Sequence, residues 1–145
     1  MSQTDSFYVN PVRNDTGNVT NVVYYNTSTK EVTYGPGPST TISRSTISGN
    51  TTLTLSQAGT FLYSTTSTAQ TVTIPTNASV TFPIGTTINV TLNGTGSVAL
   101  TPASGVTLYL AGNSTSGTRT VSPYGLATLL QVDTNVWFVN GSGVY

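Results

Sequence analysis

The sequence predicts an all-β protein: an antiparallel β-sandwich or jelly-roll-like domain that follows an extended N-terminal arm. Hydrophobic residues make up 36% of the 145-residue chain. They alternate repeatedly with Thr, Ser and Asn, which is the period of a half-buried strand. Glu occurs once, and Gly or Pro interrupts most windows, so no segment has a helical pattern. Thr is stiff at χ1 and suits a pleated surface better than a helix.

Charge divides the chain into two parts. Only two charged residues, Arg119 and Asp133, follow residue 45; the other charges precede it. The stretch Gly35-Pro36-Gly37-Pro38-Ser39 is typical of a linker, because its prolines fix φ and its glycines allow turns. We therefore predict an N-terminal docking arm over residues 1–45 and a β-sandwich display domain over residues 46–145.

The arm is predicted to contain three short strands, at residues 7–9, 21–25 and 31–34, with a hairpin loop between the last two. A segment this short cannot bury a core of its own, so it needs a partner. Its aromatic residues predict a docking surface, because such side chains are enriched at interfaces. The predicted docking residues are Phe7, Tyr8, Tyr24, Tyr25 and Tyr34.

Alternating residues predict a series of strands in the second part. These strands lie around Leu53 and Leu55, around Val72 and Ile74 up to Pro75, and around Val106, Leu108 and Leu110. Residues 86–101 predict a hairpin whose turn is Asn93–Gly96. A closing pair of strands, 126–132 and 136–139, is joined by residues 133–135.

The closing pair is apolar on both faces, so we expect it to be buried on both sides, in a core or a subunit interface. The residues assigned to this core or interface are Leu130, Val132, Val136, Trp137 and Phe138. Outer faces of Thr and Asn leave sheet edges without charged gatekeepers, and oligomerisation covers such edges. We therefore expect a homotrimer.

Composition argues against several function classes. The chain has no His, no Cys and a net charge of zero. A catalytic triad or a Cys–His pair is therefore impossible within it, and the best zinc and copper ligands are missing. Residues 14–18 lack the acidic ligands of a calcium loop. We expect no enzyme, cofactor or metal site, and neither a nucleic acid nor a membrane as partner.

Residues 48–145 resemble the carboxy-terminal modules of bacteriophage tail fibres and capsid-surface decoration proteins. The stretches that carry the likeness are 59–63, 70–75, 82–90, 94–98, 105–108, 124–129 and 135–141, the last containing Asn-Val-Trp-Phe-Val-Asn-Gly. Residues 6–35 resemble the leading segments of small virion proteins from phages of cyanobacteria, especially at Tyr24-Tyr25-Asn26 and at 30–35. The resemblance implies an all-β, often trimeric, virion surface protein with no catalytic centre.

The resulting expectation is a non-enzymatic structural protein on the head or tail surface of a virion. It would be a short fibre or a decoration protein that assembles in the host cytoplasm, since the N-terminus lacks the pattern of a signal peptide. Its arm would dock on another virion protein, such as the major capsid protein or a tail or neck protein. The alternative is a carbohydrate-binding module, either at the receptor-binding tip of a tail fibre or as a free lectin-like domain. An exported surface adhesin is a further possibility.

Overall fold

A computed structural model describes residues 21–37 and 41–145. Phe7 and Tyr8, with the strand predicted there, lie outside the described residues. The described residues belong to two compact units, one at 21–37 and one at 41–145. Both are built from strands, and neither contains an α-helix in its described part. The predicted all-β class is therefore confirmed.

The first unit is a two-stranded antiparallel hairpin. Strand β1 (Asn21–Tyr25) pairs with β2 (Val32–Pro36). The turn is held by Asn26, whose Oδ1 accepts from the backbone N–H groups of Ser28 and Thr29 at 2.9 and 3.1 Å. This hairpin was predicted, but its second strand continues through Gly35 and Pro36. Those two residues were wrongly assigned to the linker; Pro36 is tolerated because it ends a strand at an edge.

The second unit contains nine strands and one short 3₁₀ turn, Leu55–Gln57. The strands are β3 (Arg44–Thr46), β4 (Thr51–Thr52), β5 (Phe61–Ser64), β6 (Gln70–Ile74), β7 (Thr87–Leu92), β8 (Val98–Pro102), β9 (Thr107–Leu110), β10 (Arg119–Asp133) and β11 (Val136–Val144). They form one curled mixed sheet in the order β3-β5-β7-β10-β8-β6-β4, with β11 beside β10 and β9 beside β11. The predicted antiparallel arrangement is therefore wrong, because five of the strand pairs are parallel. Because β3 pairs with β5, Arg44 belongs to this unit and not to the predicted arm.

Strand β10 joins the two sides of the curled sheet. Its first three residues pair with β8, and Leu126–Leu130 pair with β7. The register breaks between these segments, where Tyr124 adopts a φ of 60°. A Cβ on Gly125 would lie 2.8 Å from the Ser122 carbonyl oxygen, so the bend requires glycine there.

The core lies inside the curl. Along the longer strands, every second residue is buried in it. The innermost strand residues are Leu62, Val72, Ile74, Ile88, Val90, Leu92, Val98, Leu100, Leu108, Ala127, Leu129, Trp137 and Val139. Trp137 is 1% exposed, and its ring meets the Phe82 ring edge to face at 5.4 Å. Burying each large aliphatic side chain contributes about 1.5–3 kcal/mol.

The hairpin predicted over residues 86–101 is wrong. Strand β7 lies between β5 and β10, whereas β8 lies between β6 and β10, so the two strands are not paired. Gly94 and Gly96 instead let the connecting chain pass close to the backbone of residues 65–68. A Cβ on Gly94 would lie 2.8 Å from the carbonyl carbon of Thr65, and one on Gly96 2.9 Å from that of Thr68.

The closing pair of strands is confirmed: β10 and β11 form an antiparallel hairpin. The strand around Val72 and Ile74 is also present as β6 and ends before Pro75. The strand predicted through Leu53 and Leu55 is shorter than expected. Leu53 is buried just after β4, whereas Leu55 starts the 3₁₀ turn and is exposed.

Candidate functional site

Six strands of the second unit share an outer face that points away from the core. In the order β3, β5, β7, β10, β11 and β9, their registers align side chains in rows across this face. One row contains Arg44, Phe61, Asn89, Thr128 and Asn140, and another contains Thr87, Leu130, Phe138 and Tyr109. The face therefore has two regions of different chemistry.

The first region is the apolar patch, formed by Tyr109, Leu130, Val132 and Phe138. Leu130 lies opposite Phe138 in the β10–β11 register, and the Phe138 ring contacts the Tyr109 ring at 5.3 Å. Leu130 and Val132 are 37% and 39% exposed. Together with residues 128 and 138–140 and Ala111, they line an open depression of about 420 Å³. The patch carries no charged side chain.

The orientation of β10 makes this exposure informative. Its inward face contains Ala127, Leu129 and Gln131, and Gln131 is 1% exposed with no partner for its Oε1 atom among the described residues. Its outward face contains Leu130 and Val132. Burying an unpaired amide oxygen costs free energy. The chain nevertheless buries the more polar side of β10 and leaves the more apolar side accessible. Such an exposed apolar surface typically marks an interaction site.

The second region is the aromatic–amide patch, formed by Arg44, Phe61, Tyr63, Asn89 and Asn93. The Arg44 guanidinium lies over the Tyr63 ring, with its Cζ 5.2 Å from the ring centroid. The Asn93 Nδ2 group donates to the Tyr63 hydroxyl at 2.9 Å. The Thr128 hydroxyl donates to Asn89 Oδ1 at 2.7 Å. Each polar group of this patch is thus fixed by a neighbour.

The hairpin of the first unit has two unlike faces. Val23 faces Tyr34, and Tyr25 faces Val32, on one side of the β1–β2 pair. All four of these side chains are exposed, Tyr34 at 80%. On the other side, Tyr24 packs over Gly35 and donates its hydroxyl to the Pro36 carbonyl at 2.7 Å.

The residues predicted to be functional are distributed over three environments. Trp137 alone among the five predicted core or interface residues is fully buried; Leu130, Val132, Val136 and Phe138 lie on the outward sides of β10 and β11, exposed or half-buried. Tyr24, Tyr25 and Tyr34 lie in the hairpin, and Phe7 and Tyr8 fall outside the described residues. The sequence reasoning missed Tyr109 and the aromatic–amide patch. Their strands pair in parallel with distant partners, and no local spacing reveals such pairing.

Titratable groups are sparse in the described residues. They contain no group of three or more His, Cys, Asp or Glu side chains that could hold a metal ion. In the same residues, no helix is long and apolar enough to cross a membrane. The apolar patch offers apolar contact, and the aromatic–amide patch offers aromatic stacking, hydrogen bonding and the charge of Arg44.

No protein-family model matches the chain, and no curated protein is significantly similar to it in sequence. A functional assignment therefore depends on the surfaces described above.

Proposed function

We propose that this chain is a non-enzymatic structural protein of a bacteriophage virion, a short fibre or decoration protein. In this proposal its second unit is a sandwich-like display domain that associates as a homotrimer through the apolar patch. Its N-terminal arm anchors the trimer to another virion protein. The observation that carries its assembly half is the exposure of Leu130 and Val132, beside the half-buried Phe138, on strands whose opposite sides form the core. Its virion half is supported by the resemblance of the sequence stretches given above to phage proteins.

A second copy of the chain is a suitable partner for the apolar patch. Around the axis of a closed oligomer identical residues meet, so a charged patch there would be repelled by its own copies. The patch contains no charged side chain and is lined by apolar atoms. In an oligomer with closed rotational symmetry, the patch is covered on every copy. In an open assembly, the copies at the two ends would keep an uncovered surface.

The hairpin supports the anchoring half of the proposal. A two-stranded hairpin is marginally stable alone in water, and this one exposes Val23, Tyr25, Val32 and Tyr34 on one face. Aromatic side chains bring large contact area at low cost in conformational entropy. Among residues 21–37 and 41–145, β1 and β2 pair only with each other, so their outer edges offer backbone groups for strand addition to a partner sheet. Three arms on one trimer would increase attachment through avidity.

The assembly half is tested by the mass of the full-length protein in solution. We expect light scattering after gel filtration to give three times the 15.1 kDa mass of one chain. The double variant Leu130→Thr/Val132→Thr should become monomeric with an unchanged far-ultraviolet spectrum. Ile42→Thr/Leu55→Thr is the matched control, because it makes equivalent changes at exposed apolar positions outside the patch. A monomeric wild type, or a control that dissociates equally, contradicts the assembly half.

The virion half is tested on particles of the source phage labelled with an antibody against residues 46–145. Electron microscopy should show label on the head, as for a decoration protein, or on the tail, as for a fibre. Absence of label from every particle contradicts the virion assignment. Adding Tyr25→Ser/Tyr34→Ser protein to particles that lack the wild-type chain should then show reduced attachment, whereas Tyr24→Phe protein should attach normally.

A further inference from the structure

The aromatic–amide patch has the composition of a sugar-binding surface. It adjoins the apolar patch used in the proposed assembly but shares none of its four residues. We propose that it binds a carboxylate-bearing glycan, with Phe61 stacking on a sugar ring and Arg44 binding the carboxylate. Asn89 and Asn93 bind sugar hydroxyls.

Phe61 supplies the stacking surface. It lies between Arg44 and Asn89 in the row across β3, β5 and β7, and it is half-buried. A half-buried ring is fixed in orientation but keeps part of its surface accessible. The carbon-bound hydrogens on one side of a pyranose form an apolar surface, which an aromatic ring can cover. Within the described residues, Phe61 makes no contact with another ring or cation that would occupy it.

Arg44 supplies the charge. Its contact with Tyr63 holds the guanidinium at the outer face and leaves its N–H donors available. The one acidic side chain within residues 41–145 is Asp133, which lies in the β10–β11 hairpin at the end of β10. No carboxylate of this unit therefore neutralises Arg44. A guanidinium binds a carboxylate through two parallel hydrogen bonds, which makes an acidic sugar a suitable ligand.

The two amides supply directional hydrogen bonds to hydroxyl groups. Asn89 Oδ1 is occupied by Thr128, which leaves its Nδ2 donors without a partner among the described residues. Asn93 Nδ2 is occupied by the Tyr63 hydroxyl, which leaves its Oδ1 as an acceptor. One amide thus offers donors and the other an acceptor. Because Asn93 follows Asn89 by four positions along β7 and its continuation, the two would bind hydroxyl groups on different units of a sugar chain. Because each amide is already held by one bond, little conformational freedom remains to be lost on binding.

A single-stranded nucleic acid also combines a negative charge with rings that stack on aromatic side chains. It fits this patch less well. Nucleic-acid binding depends on several cations that neutralise successive phosphates, and Arg44 is the only cation in the patch. The other cation within residues 41–145, Arg119, lies on the far side of the bend in β10 and donates to the Thr115 carbonyl.

The test is a titration of the ¹⁵N-labelled full-length protein, followed by nuclear magnetic resonance. The probes are two matched pairs: α-1,4-trigalacturonate with α-1,4-galactotriose, and 3′-sialyllactose with its methyl ester. Within each pair the acidic sugar carries the carboxylate that the neutral one lacks. We expect an acidic sugar to bind at about millimolar concentration or below. The shifted signals should be those of Phe61, the Asn89 and Asn93 amide groups and the Arg44 Nε–H group.

Variants separate the charge from the stacking. Arg44→Gln should weaken binding of the acidic sugar about tenfold or more and leave the neutral sugar unaffected. Phe61→Ala should weaken both. Arg119→Gln is the matched control, since it removes one positive charge from the same unit and should leave binding unchanged. If its spectrum shows unfolding, Lys30→Gln in the hairpin replaces it as the control.

Five outcomes would overturn the proposal. They are no binding of either acidic sugar up to about 20 mM, equal binding of acidic and neutral sugars, and an equal loss of binding in Arg44→Gln and its control. The fourth is stronger binding of an oligothymidylate than of the acidic sugars, which would assign the patch to nucleic acid. Shifts confined to the apolar patch would also contradict the assigned site.

Discussion

Leu129 and Leu130 are adjacent leucines on the same strand in opposite environments. Leu129 is fully buried with Trp137 and Val139 in the core, whereas Leu130 is 37% exposed beside Phe138. The outward side of the β10–β11 pair is therefore no less apolar than the inward side around these residues, yet only the inward side is buried. Burial of the inward side is completed within one chain. Burial of the outward side requires another molecule, and this difference separates residues that stabilise the fold from residues available for assembly.

The largest expected effect comes from the inward side of β11. Trp137→Ala removes the largest buried side chain and the edge-to-face contact with Phe82, so we expect a loss of about 3–5 kcal/mol in the free energy of unfolding. This loss is measured by urea titration followed by far-ultraviolet circular dichroism. Trp fluorescence cannot be used, because the variant lacks the only Trp of the chain. Protein concentration is kept fixed, since the proposed self-association would also contribute to stability.

Phe138→Ala is the comparison for that variant. Phe138 lies next to Trp137 in the same strand but on the outward side, half-buried beside Tyr109. Its loss should cost clearly less unfolding free energy than the loss of Trp137, while lowering the oligomer mass. If both variants destabilise a dilute, monomeric sample equally, the two sides of β11 do not differ as described.

The second prediction uses the two leucines. Leu129→Ala leaves a cavity in a closed core and should lower the free energy of unfolding by about 2–5 kcal/mol. Leu130→Ala should change it by about 0.5 kcal/mol or less in a dilute sample, because surface substitutions rarely have larger effects. At higher protein concentration Leu130→Ala should lower the oligomer mass more than Leu129→Ala does. Urea titration and light scattering on the same two proteins measure both quantities.

The sequence predicts a strand pair well when the two strands are close together along the chain, and poorly when they are far apart. The β1–β2 and β10–β11 hairpins are local, and alternating residues with a turn between them predicted both. The prediction of a β7–β8 hairpin was wrong, because Gly94 and Gly96 allow two loops to pass close to each other and do not form the turn of a hairpin. Five of the strand pairs in the second unit are parallel, and parallel partners are separated in sequence by long connections without a local signature.

The direction of β10 shows a second limit. Period two reveals two faces, but it does not state which one is inward. Residues 126, 130 and 132 are more apolar than residues 127, 129 and 131, so hydrophobicity alone favours burial of the even positions. The structure buries the odd positions, including Gln131. The choice is imposed by the register with β7 and β11, which places Leu129 beside Ile88 and Val139.

The third prediction concerns the spacing between β10 and β11. A Cβ on Gly141 would meet the Leu126 carbonyl oxygen and lie 2.6 Å from the Ala127 Cα. Because both obstacles are backbone atoms, Gly141→Ala must push the strands apart, and we expect a loss of about 1–3 kcal/mol. Gly49→Ala is the control, since nothing lies within 4 Å of its Cβ position. Equal urea midpoints for the two variants would show that β11 can move without cost.

The smallest effect should occur in the hairpin of the first unit, where the two faces of one small sheet can again be compared. Tyr24→Phe removes the hydroxyl that donates to the Pro36 carbonyl but keeps the ring over Gly35. An exposed hydrogen bond of this kind contributes about 0.5–1.5 kcal/mol. The backbone amides of β1 and β2 should therefore exchange with solvent roughly 2- to 12-fold faster, since exchange follows local opening. Tyr25→Phe, on the opposite face, should leave exchange unchanged. A faster exchange in both variants would mean that both tyrosines stabilise the hairpin itself, and Tyr25 would then lose its assignment to the docking face.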